Sequence, residues 1–456
     1  MRLTGKELAM ASQGEWVKDT LAEAVEGIGT DTRTFVDGHA FLALKGPHFD
    51  GHTHAHQVAD RAAALIGDEK GVLQWQALGT PQLQVEDTLQ SLGDIASFYR
   101  SRLKNTTVVA ITGSYGKTTV RSMLEFGLKA LGLHIAATQA NLNNLIGVPK
   151  TLLDIDINTD VALIECGISE QGEMRRLSEI VKPDVAVVTG LSQAHGEGLG
   201  GLSGIAQEKA QLMAHLAENG WSVLGQGVSQ TFKDAGCEST KPSLSMDDSG
   251  AVVWQLKGRD LTLSFADESA SFALSLPAKH WAEDFAVAAT VMLQLGKHLE
   301  HVWSLKTVVA ALQGWQPVEG RMAIHHLPAF TLIDDAYNAN PTSMQAALDT
   351  LAALDGYRVA IIGDMLELGK DAVELHHQLE LHDIDEVLTV GSLMAGLQTK
   401  HPLRVIRVFK DAEVLQAWLV SKDFPPKSST VLVKSSHGTG LFRISDALKQ
   451  RGQHVI

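Results

Sequence analysis

Short unbroken runs of β-branched and aliphatic residues recur along this chain. Each is followed by a polar turn, and most then lead into a stretch where apolar residues return every three or four positions. The runs occupy residues 108–111, 161–164 and 185–188, then 330–333, 359–362, 387–390, 405–408 and 431–433. Runs of this length without alternation mark strands buried on both faces of a parallel sheet. Helical periodicity is predicted over 117–131, 203–216, 280–295 and 343–354, with a last helix after 438. Strand, loop and helix in alternation predict an α/β fold. Two stretches break the rhythm. Residues 250–276 alternate apolar and polar positions (VVWQL, LTLSFA), as antiparallel strands do. Residues 1–84 read as a smaller unit with an amphipathic piece at 3–10, a strand at 40–44, a helix at 55–64 and a strand at 64–66.

The expected architecture is α/β in three domains. A small N-terminal α/β domain spans 1–84, a central P-loop doubly wound parallel-sheet domain spans 85–315, and a C-terminal Rossmann-like domain spans 316–456. The Pro/Gly-rich segment GWQPVEG, 314–320, sets the last boundary. The C-terminal part has no GxGxxG, so a dinucleotide is not implied.

Composition narrows the function classes. The chain has 456 residues, 45% hydrophobic and 20% charged, enough to bury a core in each domain, and no run is apolar enough to span a membrane. The opening MRLTGKELAM lacks a signal-peptide core, and the two cysteines, Cys166 and Cys237, suit a reducing compartment; both point to the cytoplasm. A net charge of −15 without a basic tract argues against nucleic acid as a partner.

Candidate chemistry centres on residues 106–119, TTVVAITGSYGKTT. A buried strand runs into Gly113, Ser114 and Gly116, and Lys117, Thr118 and Thr119 open a helix, which makes a phosphate cradle. Lys117 is placed to reach the β/γ-phosphates and the Thr118 hydroxyl to sit on Mg²⁺. The strict P-loop pattern wants glycine where Ile111 stands. Glu165 ends the next apolar strand, at the sheet edge where ligands of open α/β sheets bind, and His195 follows the strand at 185–188. Together beside a P-loop they suggest a metal pair; alone, Glu165 reads equally well as a surface carboxylate, and His195 reads as structural. His48, His52, His54 and His56 lack supporting carboxylate or cysteine spacing and read as a polar loop rather than a metal site.

With these motifs in place, the chain resembles the Mur ligase family. TGSYGKTT (112–119) is similar to that family's phosphate loop, which also carries an apolar residue at the position of Ile111. Further matching segments are TDTR (30–33), ALKGPHFDGH (43–52), ANLNNLIGVPKTLL (140–153), ECGISEQGEM (165–174), AHGEG (194–198), DDAYNANP (334–341), GDMLELG (363–369) and LVKSSHG (432–438). They span nearly the whole chain, and the resemblance is greatest to the branch that joins D-alanyl-D-alanine to a UDP-linked muramoyl tripeptide. It implies three domains holding the uridine end of one substrate, ATP, and the incoming amine; a monomer is expected. It implies ATP and two Mg²⁺ as cofactors. It assigns the phosphates and Mg²⁺ to Lys117 and Thr118, and metal ligation to Glu165 and His195. It makes Lys209 a carbamylated lysine that helps hold the second Mg²⁺. By sequence alone Lys209 reads as a surface lysine of a helix. Arg321 and Asp335 match nucleotide-contacting positions; Thr32, Arg33, Lys45 and Gly46 match the uridine loop; Asn141, Asn143 and Asn144 match the muramoyl-peptide side. Without the resemblance the asparagines read as turn residues.

The chain departs from the family pattern at two places. In HWAEDFAVAA (280–289) Trp281 and Asp284 stand where the family has asparagines, one of which contacts adenine. An ionised aspartate there accepts a hydrogen bond but cannot donate one. Lys434, Ser435, Ser436 and His437 replace Lys-Gly-Ser-Arg, removing a bidentate anion contact. Two other readings compete: a Mur-like amide ligase with a different acid and amine, and a nucleotide-binding regulatory protein that kept the fold and lost ligation.

Overall fold

The computed structural model describes residues 1–17, 22–193, 199–237, 241–400, 406–422 and 424–453, so His195 lies outside the described residues. Six parallel strands form the central sheet in the order Ile135–Ala137, Val161–Glu165, Thr107–Thr112, Val185–Val188, Trp221–Leu224, Ser243–Ser245. The strand Thr107–Thr112 is buried along its whole length and sits between the two other long apolar runs. The strands at 135–137, 221–224 and 243–245 are absent from the sequence reading. They are three or four residues long; serines interrupt two of them, and Ile135–Ala137 has only one β-branched residue beside two alanines, so none stands out as a strand.

The alternating stretch becomes a three-stranded antiparallel sheet, Val253–Lys257, Asp260–Phe265 and Glu268–Ala273, with Leu261 and Leu263 fully buried. A second six-stranded sheet runs in the order Ala323–His326, Thr331–Asp335, Thr430–Lys434, Arg358–Gly363, Glu386–Val390, Ile406–Phe409. Its first strand is antiparallel, unlike the rest. That strand is an edge reached by a tight turn rather than a helical crossover, which is why its polar residues, His325 and His326, are tolerated.

The N-terminal unit is a five-stranded sheet, Glu15–Val17, Gln82–Gln84, Ala64–Gly67, Ala40–Leu42 and Ile28–Gly29. The helix expected over 55–64 is not there. A 3₁₀ helix, Gly51–Gln57, takes its place, capped by the Asp50 carboxylate, which accepts from the His52 N–H at 3.0 Å. GHTHAHQ offers no apolar stripe at helical spacing, and Asp50 provides a local alternative partner for the backbone. The helix expected over 203–216 is Gly201–Ala210 followed by a 3₁₀ turn, Gln211–Met213.

One contiguous hydrophobic cluster joins the central and C-terminal sheets. It runs from Val109 and Ile111 through the helix Lys279–His298 to Met344, Leu348 and Leu432. Among the described residues no helix is long and apolar enough to cross a membrane.

Candidate active site

After Thr112 the backbone turns through two glycines that their surroundings require. A Cβ on Gly113 would lie 2.1 Å from Thr189 Oγ1; Gly116 adopts φ +80°, and a Cβ there would lie 2.8 Å from Asp284 Oδ1. The end of the neighbouring strand pins the loop. Ser114 donates its N–H to the Gly190 carbonyl at 2.7 Å and its hydroxyl to the Ser192 carbonyl at 3.1 Å, and the Thr189 hydroxyl donates to the Tyr115 carbonyl. The helix Lys117–Ala130 begins with no side-chain cap, so its first N–H groups stay open to an anion.

Lys117 Nζ donates to the Gly113 carbonyl at 2.6 Å, folding back over the loop. Burial lowers its ammonium to about 8, with Glu165 opposing and Arg321 assisting the fall. Glu165, 1% exposed, accepts from Thr118 Oγ1 at 3.1 Å and from Arg121 Nε at 2.7 Å. Arg121 also donates to Glu125 at 2.6 Å. A carboxylate and a hydroxyl side by side offer the oxygen ligands that a hard dication such as Mg²⁺ prefers, so Thr118 and Glu165 fit that ion. The sequence reading missed Arg121. Its signal was position: three residues after Thr118, it projects from the same face of the helix.

Lys209 is no surface lysine. It lies in the helix Gly201–Ala210 and is 2% exposed, and its ammonium makes no hydrogen bond within the described residues. Burial, then the nearby Lys117, hold its amine well below the ordinary lysine value, which favours the uncharged form. The same burial pushes the neighbouring Cys166 thiol up to about 12, which leaves it inert.

A cavity of about 650 Å³ opens in front of the cradle. Ser114, Tyr115, Gly116 and Thr119 line one wall, Trp254 and Asp284 another, and Arg321, Asp335 and Asn340 the side contributed by the C-terminal part. Arg321 lies 4.1 Å from the Tyr337 ring centroid. Asp335 accepts from Lys434 Nζ at 2.6 Å and from the Met322 N–H at 3.2 Å, so this buried carboxylate is held by a buried cation. Asp284 is buried and its carboxyl makes no hydrogen bond within the described residues; burial, then Glu283, raise that carboxyl well above the usual range. The shift is towards the protonated form, which can donate as well as accept, whereas the ionised form only accepts. Trp281 plays no polar part. It packs edge-on against Trp315, with ring centroids 5.5 Å apart. Nor does His437 replace the missing arginine: its ring stacks on Phe442 at 4.8 Å.

The remaining candidates lie away from this cavity. Arg33 is exposed and grips Asp31 through two bonds of 2.9 and 2.6 Å, while the Thr32 hydroxyl donates to Gln57 Oε1 at 2.9 Å. Lys45–Gly46 pairs with Phe49–Asp50 as a two-stranded ribbon. Asn144 Oδ1 accepts from the Ile146 and Gly147 N–H groups at 3.1 and 2.9 Å, a turn role. Asn143 packs under Gly167, just beyond Glu165, and its carbonyl accepts the Gly167 N–H at 2.8 Å; Asn141 is exposed. Of the four loop histidines, His52 is buried with both ring nitrogens engaged, at 2.6 Å from Asp50 Oδ1 and 3.1 Å from the Asp68 N–H. Among the described residues one carboxylate–imidazole group, Glu319, His325 and Asp334, has the compactness of a metal site, but the Lys449 ammonium already bonds both carboxylates.

Comparison with known proteins agrees with this geometry. Residues 111–292 match the Mur ligase middle domain and residues 320–437 the Mur ligase glutamate ligase domain. The chain is 32% identical, over 94% of both sequences, to the UDP-N-acetylmuramoyl-tripeptide–D-alanyl-D-alanine ligase of Escherichia coli (strain K12). It superposes on MurF from Acinetobacter baumannii with a TM-score of 0.86 at 30% identity, covering 99% of each chain. A MurF ligase from Thermotoga maritima, solved with ADP, shares the fold: TM-score 0.78, 24% identity, 93% of this chain and 97% of that one. Phosphate cradle, buried strand-end glutamate and full-length similarity coincide: the chain belongs to the Mur ligase family, whose members are ATP-dependent amide-forming ligases.

Proposed function

We propose that this protein joins D-alanyl-D-alanine to UDP-N-acetylmuramoyl tripeptide at the expense of ATP, releasing ADP and phosphate, in peptidoglycan precursor synthesis. The observation that carries the reading is the extent of similarity. It includes the first 110 residues, which precede the matched middle domain and hold the uridine-loop candidates. In this reading residues 1–84 bind the uridine end, 85–315 bind ATP, and 316–456 close over both; the protein works as a cytoplasmic monomer.

The substrate carboxylate oxygen attacks the γ-phosphorus of ATP, and ADP leaves. The amine of the dipeptide then attacks the acyl carbon, phosphate departs with the electrons of the C–O bond, and the nitrogen loses a proton. Phosphorylation is needed because a carboxylate resists nucleophilic attack at neutral pH. Lys117 and the open helix N-terminus hold the phosphates, Arg321 and Asp335 hold the nucleotide, and Asp284 lies at the base end. Thr118 and Glu165 would hold Mg²⁺, which neutralises charge on the transferring oxygens. Lys209 is proposed to react as a free amine with carbon dioxide, forming a carbamate and releasing a proton; its burial without a hydrogen-bond partner supports this. The carbamate, with His195, would then hold a second Mg²⁺. Asn141, Asn143 and Asn144 are assigned to the muramoyl-peptide side, and Thr32, Arg33, Lys45 and Gly46 to the uridine nucleotide.

The test is phosphate release by purified protein given ATP and Mg²⁺, with each substrate alone and both together. Release that requires both, and a product with their summed mass less water, is expected. Absence of release with this pair despite ATP binding would move the reading to a Mur-like ligase with a different acid and amine.

A further inference from the structure

We propose that Asn340 is a positioning residue that couples closure of the C-terminal domain to the shape of the phosphate loop. The proposal rests on the nucleotide part of the function above. Asn340 is 7% exposed and caps the helix Pro341–Ala352. Its Oδ1 accepts the Ser343 N–H at 2.9 Å, which turns its amide nitrogen the other way. That nitrogen donates to the Ser114 carbonyl at 3.2 Å, across 226 residues of sequence, from the C-terminal part into the loop that opens the cradle.

Both ends of this link are braced. On one side, Lys434 Nζ donates to the Asn338 carbonyl at 3.1 Å and the Ser436 hydroxyl to the Ala339 carbonyl at 3.3 Å, which fixes the segment leading into Asn340. On the other, the Ser114 N–H and hydroxyl are already taken by Gly190 and Ser192. The Ser114 carbonyl is therefore the remaining freedom of that residue, and Asn340 takes it. A trans peptide is planar, so fixing the Ser114 C=O also fixes the direction of the Tyr115 N–H at the mouth of the cradle. The link exists only while the C-terminal part sits against the central domain. Closure thereby sets the loop, and a set loop favours closure.

The cap and the link can be separated by substitution. Asn340→Asp and Asn340→Ser keep an oxygen that accepts the Ser343 N–H but lose the amide donor; Asn340→Ala loses both. The expected result for Asn340→Asp is a melting temperature close to wild type, kcat lower by about five- to tenfold, and KM for ATP within about twofold, the size expected for one lost hydrogen bond in the closed state. Asn340→Ser should behave alike, and Asn340→Ala should add a loss of thermal stability. Small-angle scattering with ADP and Mg²⁺ gives a second readout that needs no acid or amine. Wild type should compact on nucleotide addition, and Asn340→Asp should compact less. Wild-type kcat and compaction in Asn340→Asp would overturn the proposal, as would a kcat loss that only tracks the unfolded fraction. If the muramoyl substrate reading itself fails, no phosphate is released by wild type, while the scattering comparison still decides the role of Asn340.

Discussion

Arg121→Met should destabilise the central domain more than any surface charge removal, because it strands the Glu165 carboxylate. The Arg121 side chain is 9% exposed and that of Glu165 2%, with 2.7 Å between Nε and Oε1. Deleting one member of a buried ion pair costs about 3–5 kcal/mol, chiefly because the other charge stays buried without its partner. The Thr118 hydroxyl still donates to the second oxygen, and Lys117 remains nearby, so the low end, about 3 kcal/mol, applies. Loss of the partly exposed Arg121–Glu125 pair adds at most about 1 kcal/mol. Together these come to about 3–4 kcal/mol, which for a cooperative unit of about 150–250 residues corresponds to a fall of roughly 6–16 °C in melting temperature. The assay is differential scanning calorimetry without nucleotide or metal, on the single variant and on Arg121→Met combined with Glu165→Gln. The double variant removes the stranded charge and should regain most of the loss, since coupled neighbours are non-additive. A single variant that melts within 2 °C of wild type, or a double variant no better than the single (2 °C being about 1 kcal/mol for a unit of this size), would refute the account of Glu165 as a charge held in place by Arg121.

Three further outcomes follow from the same site. Lys117→Ala should lower turnover by about 10²-fold or more, since a charge contact of the transition state is lost; near-normal kcat would remove Lys117 from the phosphate cradle. Lys209→Ala should lose activity and regain part of it when a short carboxylic acid is added, and no rescue in a folded variant would count against a carbamate at this position. His280 is pushed from the ordinary 6.5 to about 4 by burial, then by Lys434. The unfolded chain therefore takes up this proton from pH 6.5 downward while the folded one does not until about 4, so stability should fall as pH drops through that window, by up to about 3 kcal/mol. His280→Gln should flatten the urea midpoint between pH 7 and 5; an unchanged slope would contradict the assignment.

Apolar runs and glycine placement determined much of this protein on their own. The strands at 108–111, 161–164 and 185–188 and most of the C-terminal runs are found where the patterning puts them, because a strand buried on both faces needs a continuous apolar stretch. The turn from Thr112 into Lys117 was legible because only glycine fits the approach to Thr189 and the left-handed turn at Gly116. Edge strands such as Ile135–Ala137 were not legible, since one Ile followed by two alanines carries little strand signal. The 3₁₀ helix at Gly51–Gln57 was not legible either, since a side-chain cap outweighed the expected helix there.

What only the tertiary structure decided is electrostatic. Lys209 and Asp284 have ordinary sequence neighbourhoods, and it is packing from distant segments that strips them of water and shifts their protonation. The Arg121–Glu165 and Lys434–Asp335 pairs join residues 44 and 99 positions apart, and the Asn340–Ser114 bond joins two sheets. Hydrophobic periodicity is a local property of the chain, so it can be read along it. Desolvation and charge pairing depend on which segments meet, and they become readable only once the sheets have closed on one another.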